Sequence, residues 1–158
     1  MRTLILGLGN LLLGDEGVGV HAVRALAAAG LPANVAALDV GTALLDALAD
    51  LEIADRLIVV DAMRAGGPPG TVYRLDDGAL ARNGCIASLH GFDLPRVLAL
   101  TRRRAAPPVV VFGVEPELLD WSLELSPCVA GSVPALLRAV RDALPPEETA
   151  PLRRQSSG

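Results

Sequence analysis

A chain of 158 residues, 51% hydrophobic and 20% charged, suits one domain around one core. Its net charge is −4, and its densest basic patch, Arg102 to Arg104, has no interleaved aromatics, which argues against a nucleic-acid partner. That patch reads as a solvated helix end, and no run of about 18 apolar residues signals a membrane span.

Residues 3–8 are an apolar run closed by Gly-Leu-Gly-Asn, a strand followed by a turn. Gly7, Gly9 and Asn10 interrupt the run, and Asp15-Glu16 follows without a cleavage site. The segment is therefore expected to be a buried strand, the better reading than a signal peptide. A helix starts near Asp15 or Glu16 and stops at Gly30 and Pro32. Residues 35–40 form a second strand, and Thr42 is placed to cap a short helix through Leu51. Residues 57–60 form a third strand, ending at Asp61. A Gly/Pro-rich loop at 65–70 precedes a fourth strand at 72–75. The connection is too short for a helical crossover, so this strand is expected antiparallel to the third. Residues 76–91 are irregular, a helix covers 94–103, and Pro107-Pro108 leads into a last strand at 109–112. A final helix covers 129–144, with Pro134 near its first turn or at a break.

These elements predict an α/β fold. It is a single-domain, open, twisted, mostly parallel five-stranded sheet with helices on both faces. The domain is expected over residues 1–146, followed by a polar tail at 147–158 that need not be ordered. Cys85 and Cys128 are too far apart in sequence for a CxxC pair, so reduced thiols in a cytoplasmic protein are the simplest reading. Cys85 as a nucleophile near His90 is the weaker one, because local spacing says little about geometry.

In such a fold, ligands bind beyond the C-terminal ends of the parallel strands. Asn10 and Glu16 follow the first strand, Asp39 ends the second and Asp61 the third. Carboxylates at the ends of adjacent strands, about 4.8 Å apart, converge within roughly 5–10 Å. Each residue also has a plain structural role open to it. Glu16 can favour a helix N-terminus, Asp39 and Asp61 can shape turns, and Asn10 can bond loop backbone. His21 lies five positions after Glu16, about 140° around the helix, and reads as structural. His90, in a loop, would complete a Glu/Asp/His set suited to a borderline divalent metal. The Gly-Leu-Gly-Asn turn fails as a dinucleotide fingerprint, because its third glycine is replaced by Leu12. A small-molecule nucleotide binder is accordingly the weakest reading.

The segment GLGNLLLGDEGVGVHAV at 7–23 is similar to the N-terminal signature of the hydrogenase maturation endopeptidases. LDVGT at 38–42, IVVDA at 58–62, SLHGFDLPRVLAL at 88–100 and FGVEPELLDWSLELSPCVAGSVPALLRAV at 112–140 resemble further segments of that family, in the same order. The resemblance implies a cytoplasmic protease that removes the C-terminal extension of a nickel-loaded [NiFe] hydrogenase large-subunit precursor. Nickel is then expected to arrive with that partner, so the site is empty otherwise or holds a substitute divalent metal. The metal contacts carry over to Glu16, Asp61 and His90. Asp39 matches an acid that assists hydrolysis, whether the protease is aspartic-type or nickel-dependent. Asn10, Gly41 and Thr42 match the loop bordering the substrate. Val40 and Leu44 stand where the family usually has glycine. That departure motivates an alternative, a non-catalytic module that reads the metal on a hydrogenase-like partner.

Overall fold

The computed structural model describes residues 1–77 and 94–146. Its strands are β1 (Thr3–Leu8), β2 (Val35–Gly41), β3 (Arg56–Ala62), β4 (Val72–Leu75) and β5 (Val109–Val114). Its α-helices are α1 (Val18–Ala28), α2 (Leu48–Ile53), α3 (Leu94–Leu100) and α4 (Pro127–Asp142). Short 3-10 turns, Gly14–Gly17 and Leu44–Ala47, lead into α1 and α2.

The strands form one sheet in the order β2-β1-β3-β5-β4, parallel except for β4. The apolar runs of β1, β3 and β5 occupy its centre and are buried almost throughout. That is the expected fate of strands covered on both faces. Ile5, Ile58, Val60 and Phe112 pack on one face under Val18, Ala22 and Leu26 of α1 and Leu136 and Val140 of α4. Leu4, Leu6, Val59 and Val111 pack on the other, under Leu44, Leu51, Leu94 and Val97. Burying a side chain of this size is worth about 1.5–3 kcal/mol, so these two layers dominate stability.

The fold expectation holds, with local corrections. β4 does run against the parallel strands, but it pairs with β5 at the sheet edge, not with β3. A short connection fixes direction but does not choose the neighbour. Thr42 does not cap the helix that follows. The helical turn starts after Ala43 and has no side-chain cap. Pro127 opens α4 in its first turn, where a missing N–H costs nothing, and Pro134 lies inside the helix. Residues 147–158, where the tail was expected, lie outside the described residues, as does Cys85.

Helix α1 approaches the sheet closely because two glycines face each other. A Cβ on Gly19 would lie 2.1 Å from the Val60 carbonyl oxygen and 2.4 Å from that of Leu8. A Cβ on Gly7 would lie 2.4 Å from the Gly19 carbonyl oxygen. The glycine-rich segment thus serves helix–sheet packing.

Candidate active site

The connection β1-α1-β2 leaves β1 in one direction, and the route through α2 returns across it to β3. The order therefore reverses between β1 and β3, the place where open α/β sheets form a crevice beyond their strand ends. Gly9 sits there with φ +121°, a conformation that favours glycine. A Cβ on it would lie 1.7 Å from the Glu16 carbonyl oxygen and 3.5 Å from Asp61 Oδ1. The missing side chain lets the loop carrying Glu16 fold down beside the end of β3. Asp61 is fully buried, and its Oδ1 accepts the Ala62 N–H at 2.8 Å. Glu16 is half-buried.

Asp39 does not join this pair. β1 lies between β2 and β3, so Asp39 and Asp61 are separated by two strand spacings, about 10 Å. They also face opposite ways. Asp39 is in register with Gly7 and Gly7 with Val60, so Asp61 stands one residue further along and alternation turns it over. Asp39 faces α1, where Arg24 holds it through Nε at 2.8 Å and the neighbouring guanidinium nitrogen at 2.6 Å. The expectation that acids of adjacent strands converge therefore does not apply to Asp39 and Asp61, whose strands are not neighbours.

Asn10, Gly41 and Thr42 lie along the same edge. Asn10 Oδ1 accepts the Leu12 N–H at 2.9 Å, the loop-shaping role open to it from the sequence. Gly41 has φ +54°, and its carbonyl oxygen accepts the Gly9 N–H at 3.0 Å. Thr42 follows in an exposed turn. His21 remains on α1, and no bonding partner meets its Nε2 among the described residues. His90 lies outside the described residues, and among those described no three His, Cys, Asp or Glu side chains gather to hold a metal.

The structure adds a residue whose importance the sequence concealed. Asp15, beside Glu16, is fully buried and accepts four hydrogen bonds. Its Oδ2 takes the N–H of Glu117 at 2.9 Å, the N–H of Leu118 at 2.7 Å and the Ser126 hydroxyl at 2.8 Å. Its Oδ1 takes the Ser126 N–H at 2.7 Å. Burial opposes ionisation, but the donors from Leu118, Ser126 and Glu117 outweigh it and hold the carboxyl below its ordinary range. Asp15 therefore clasps the loop after β5 to the loop carrying Glu16. A similar device lies beyond Asp61. Buried Glu115 accepts the Ala65 N–H at 2.7 Å and the Tyr73 hydroxyl at 2.8 Å. Against burial, these donors lower its pKa, while burial and the Glu115 carboxylate raise that of Tyr73.

Fold and edge together define an α/β protein with the Glu16 loop and Asp61 beside its topological switch point. Residues 20–143 match the hydrogenase maturation protease family. The chain is 41% identical over 148 residues to the hydrogenase expression/formation protein HupD of Rhodobacter capsulatus, covering 89% of this chain and 70% of that one. It is 38% identical over 151 residues to the hydrogenase 2 maturation protease of Escherichia coli, covering 91% of each. Among solved structures, the hydrogenase maturating endopeptidase HybD of E. coli superposes with a TM-score of 0.76 at 37% identity, over 91% of this chain and 92% of that one. The [NiFe] hydrogenase maturation protease HybD of Thermococcus kodakarensis superposes with a TM-score of 0.75 at 26% identity, over 90% and 98%. The chain belongs to the hydrogenase maturation protease family, and the activity that goes with it is peptide hydrolysis. Among the described residues, no helix is long and apolar enough to cross a membrane.

Proposed function

We propose that this endopeptidase removes the C-terminal extension of a nickel-loaded [NiFe] hydrogenase large-subunit precursor at the crevice between β1 and β3. The carrying observation is that Gly9 lets the Glu16 loop close against Asp61 at the switch point. In this reading Glu16 and Asp61 offer oxygen ligands to nickel brought by the precursor, and His90 offers a nitrogen. Such a mixed set suits a borderline divalent ion and leaves positions for other ligands. Asp61 is buried before the precursor arrives, so its contact with the metal requires the edge to open as the substrate seats.

Hydrolysis also needs an activated water and a protonated leaving amine. Asp39 lies across β1 from that crevice, beside the Gly41 turn, and is assigned the proton-handling role on the part of the substrate that reaches past β1. Its pair with Arg24 is partly exposed and worth about 0–1 kcal/mol, so releasing the carboxylate is cheap. Asn10, Gly41 and Thr42 border the substrate chain. We place the protein in the cytoplasm, where exposed Cys128 stays a free thiol. Membership of a family of proteases disfavours the non-catalytic module.

Intact mass of the nickel-loaded precursor tests the reading. Catalytic amounts of the parent should yield one defined C-terminal loss. Glu16→Gln, Asp61→Asn, His90→Ala and Asp39→Asn should each slow it strongly. Full cleavage by the first three would remove the assigned metal-reading site, and full cleavage by Asp39→Asn would remove its catalytic role.

A further inference from the structure

Large apolar side chains are exposed on two adjoining loops beside the Glu16 edge. Leu12 is 48% exposed, Leu118 40%, Trp121 77% and Leu123 69%. They share one scaffold. The Ser122 N–H donates to the Leu12 carbonyl at 3.0 Å, the Gly14 N–H to that of Ser122 at 2.8 Å, and the Asp15 N–H to that of Leu118 at 2.9 Å. The Asp15 carboxylate clasps the same loop from below. The exposure is thus imposed by a braced backbone. The backbone that presents this tryptophan, three-quarters in water, is already ordered, which lowers the cost of using it as an interface anchor.

The charges around the patch narrow the choice of occupant. Glu117, Asp120 and Glu124 are exposed on this loop, and residues 114–126 contain no Lys, Arg or His. A second copy would set this acidic rim against itself, in a chain of net charge −4. An anionic lipid surface would be repelled in the same way. The complement is a protein surface with an apolar centre and a basic rim.

We propose that Leu12, Leu118, Trp121 and Leu123 form the docking surface for the folded body of the large-subunit precursor, seating it so that its C-terminal segment reaches the β1/β3 crevice. This rests on the precursor being the substrate. Specificity then comes partly from contacts with the body of the precursor and not with the cut segment, and a free C-terminal peptide forgoes them.

The experiment compares the parent with Trp121→Ala and with a Trp121→Ser/Leu123→Ser double variant, acting on nickel-loaded precursor. Thermal melts confirm folding, which these exposed positions should leave unchanged. Each variant should raise KM on the order of tenfold or more and leave kcat close to the parent value. Trp121 is the only tryptophan of the chain, so 5-fluorotryptophan gives one ¹⁹F resonance. It should shift or broaden when precursor is added. Cleavage by the parent with unchanged KM in the variants and an unmoved resonance would overturn the docking surface but leave the protease reading standing. No cleavage by the parent of a precursor that another maturation protease cuts would instead overturn the reading beneath it. A resonance moved by protein concentration alone, or by anionic vesicles but not by precursor, would assign the patch to self-association or lipid and overturn the proposal.

Discussion

Removing the Asp15 carboxylate should both loosen the fold and disturb the edge that carries Glu16. Asp15→Ala strips the acceptor from three backbone N–H groups and the Ser126 hydroxyl. The hydroxyl keeps a fallback 3.4 Å away at Cys128 Sγ, so the backbone donors set the cost. A buried donor left unmatched, as at Ser126, costs about 1–3 kcal/mol, while the part-buried donors of Glu117 and Leu118 can shift to admit water, so the sum is not additive. A loss of about 3–5 kcal/mol is expected, much of the stability of a domain this size. Asp15→Asn, with the amide oxygen on the three-donor side, sets an NH₂ group against the Ser126 N–H and should cost about 2–3 kcal/mol. The pH dependence supplies a second signature. The folded carboxyl is lowered from an ordinary value of 3.8. Its contribution is therefore fully present above about pH 4 and is lost as pH falls through the folded value. Urea unfolding of parent and both variants between pH 3 and pH 7 tests this. The parent should lose more stability on acidification than Asp15→Asn. A loss under about 1 kcal/mol for Asp15→Ala at pH 7, or equal acid sensitivity in Asp15→Asn, would refute the clasp.

Gly19→Ala should destabilise by about 1–3 kcal/mol or more by overpacking, since its Cβ meets the backbone of β1 and β3; a thermal melt close to the parent would contradict that packing. Phe112→Ala empties a fully buried position under α1 and α4 and should cost about 3–5 kcal/mol in urea unfolding. Arg24→Ala frees Asp39 and should change stability by less than about 1 kcal/mol while cleavage persists. If Arg24→Ala and Asp39→Asn instead abolished cleavage equally, Asp39 would act through its ion pair and not as the proton handler.

Much of the molecule was legible from local chemistry. The apolar runs at β1, β3 and β5 are short and turn-bounded, as strands buried on both faces must be. Glycine and proline marked most element boundaries, and parallel strands joined by helices placed Asn10, Glu16, Asp39 and Asp61 near one edge. The ordered segments from Gly7 to Val140 also carried the family, which the comparisons establish. The tertiary structure decided what depends on partners distant in the chain. Whether β4 lies beside β3 or β5 is settled by which edge is open, and no local pattern records that. Asp39 and Asp61 look equivalent as strand-end acids, yet β1 separates them and a one-residue offset along the sheet turns them to opposite faces. Asp15 looked like a helix-start acid, because its donors lie more than a hundred residues away, at Glu117, Leu118 and Ser126. Periodicity reports which face of an element is apolar. Only folding brings together the donors that make a buried carboxylate stable.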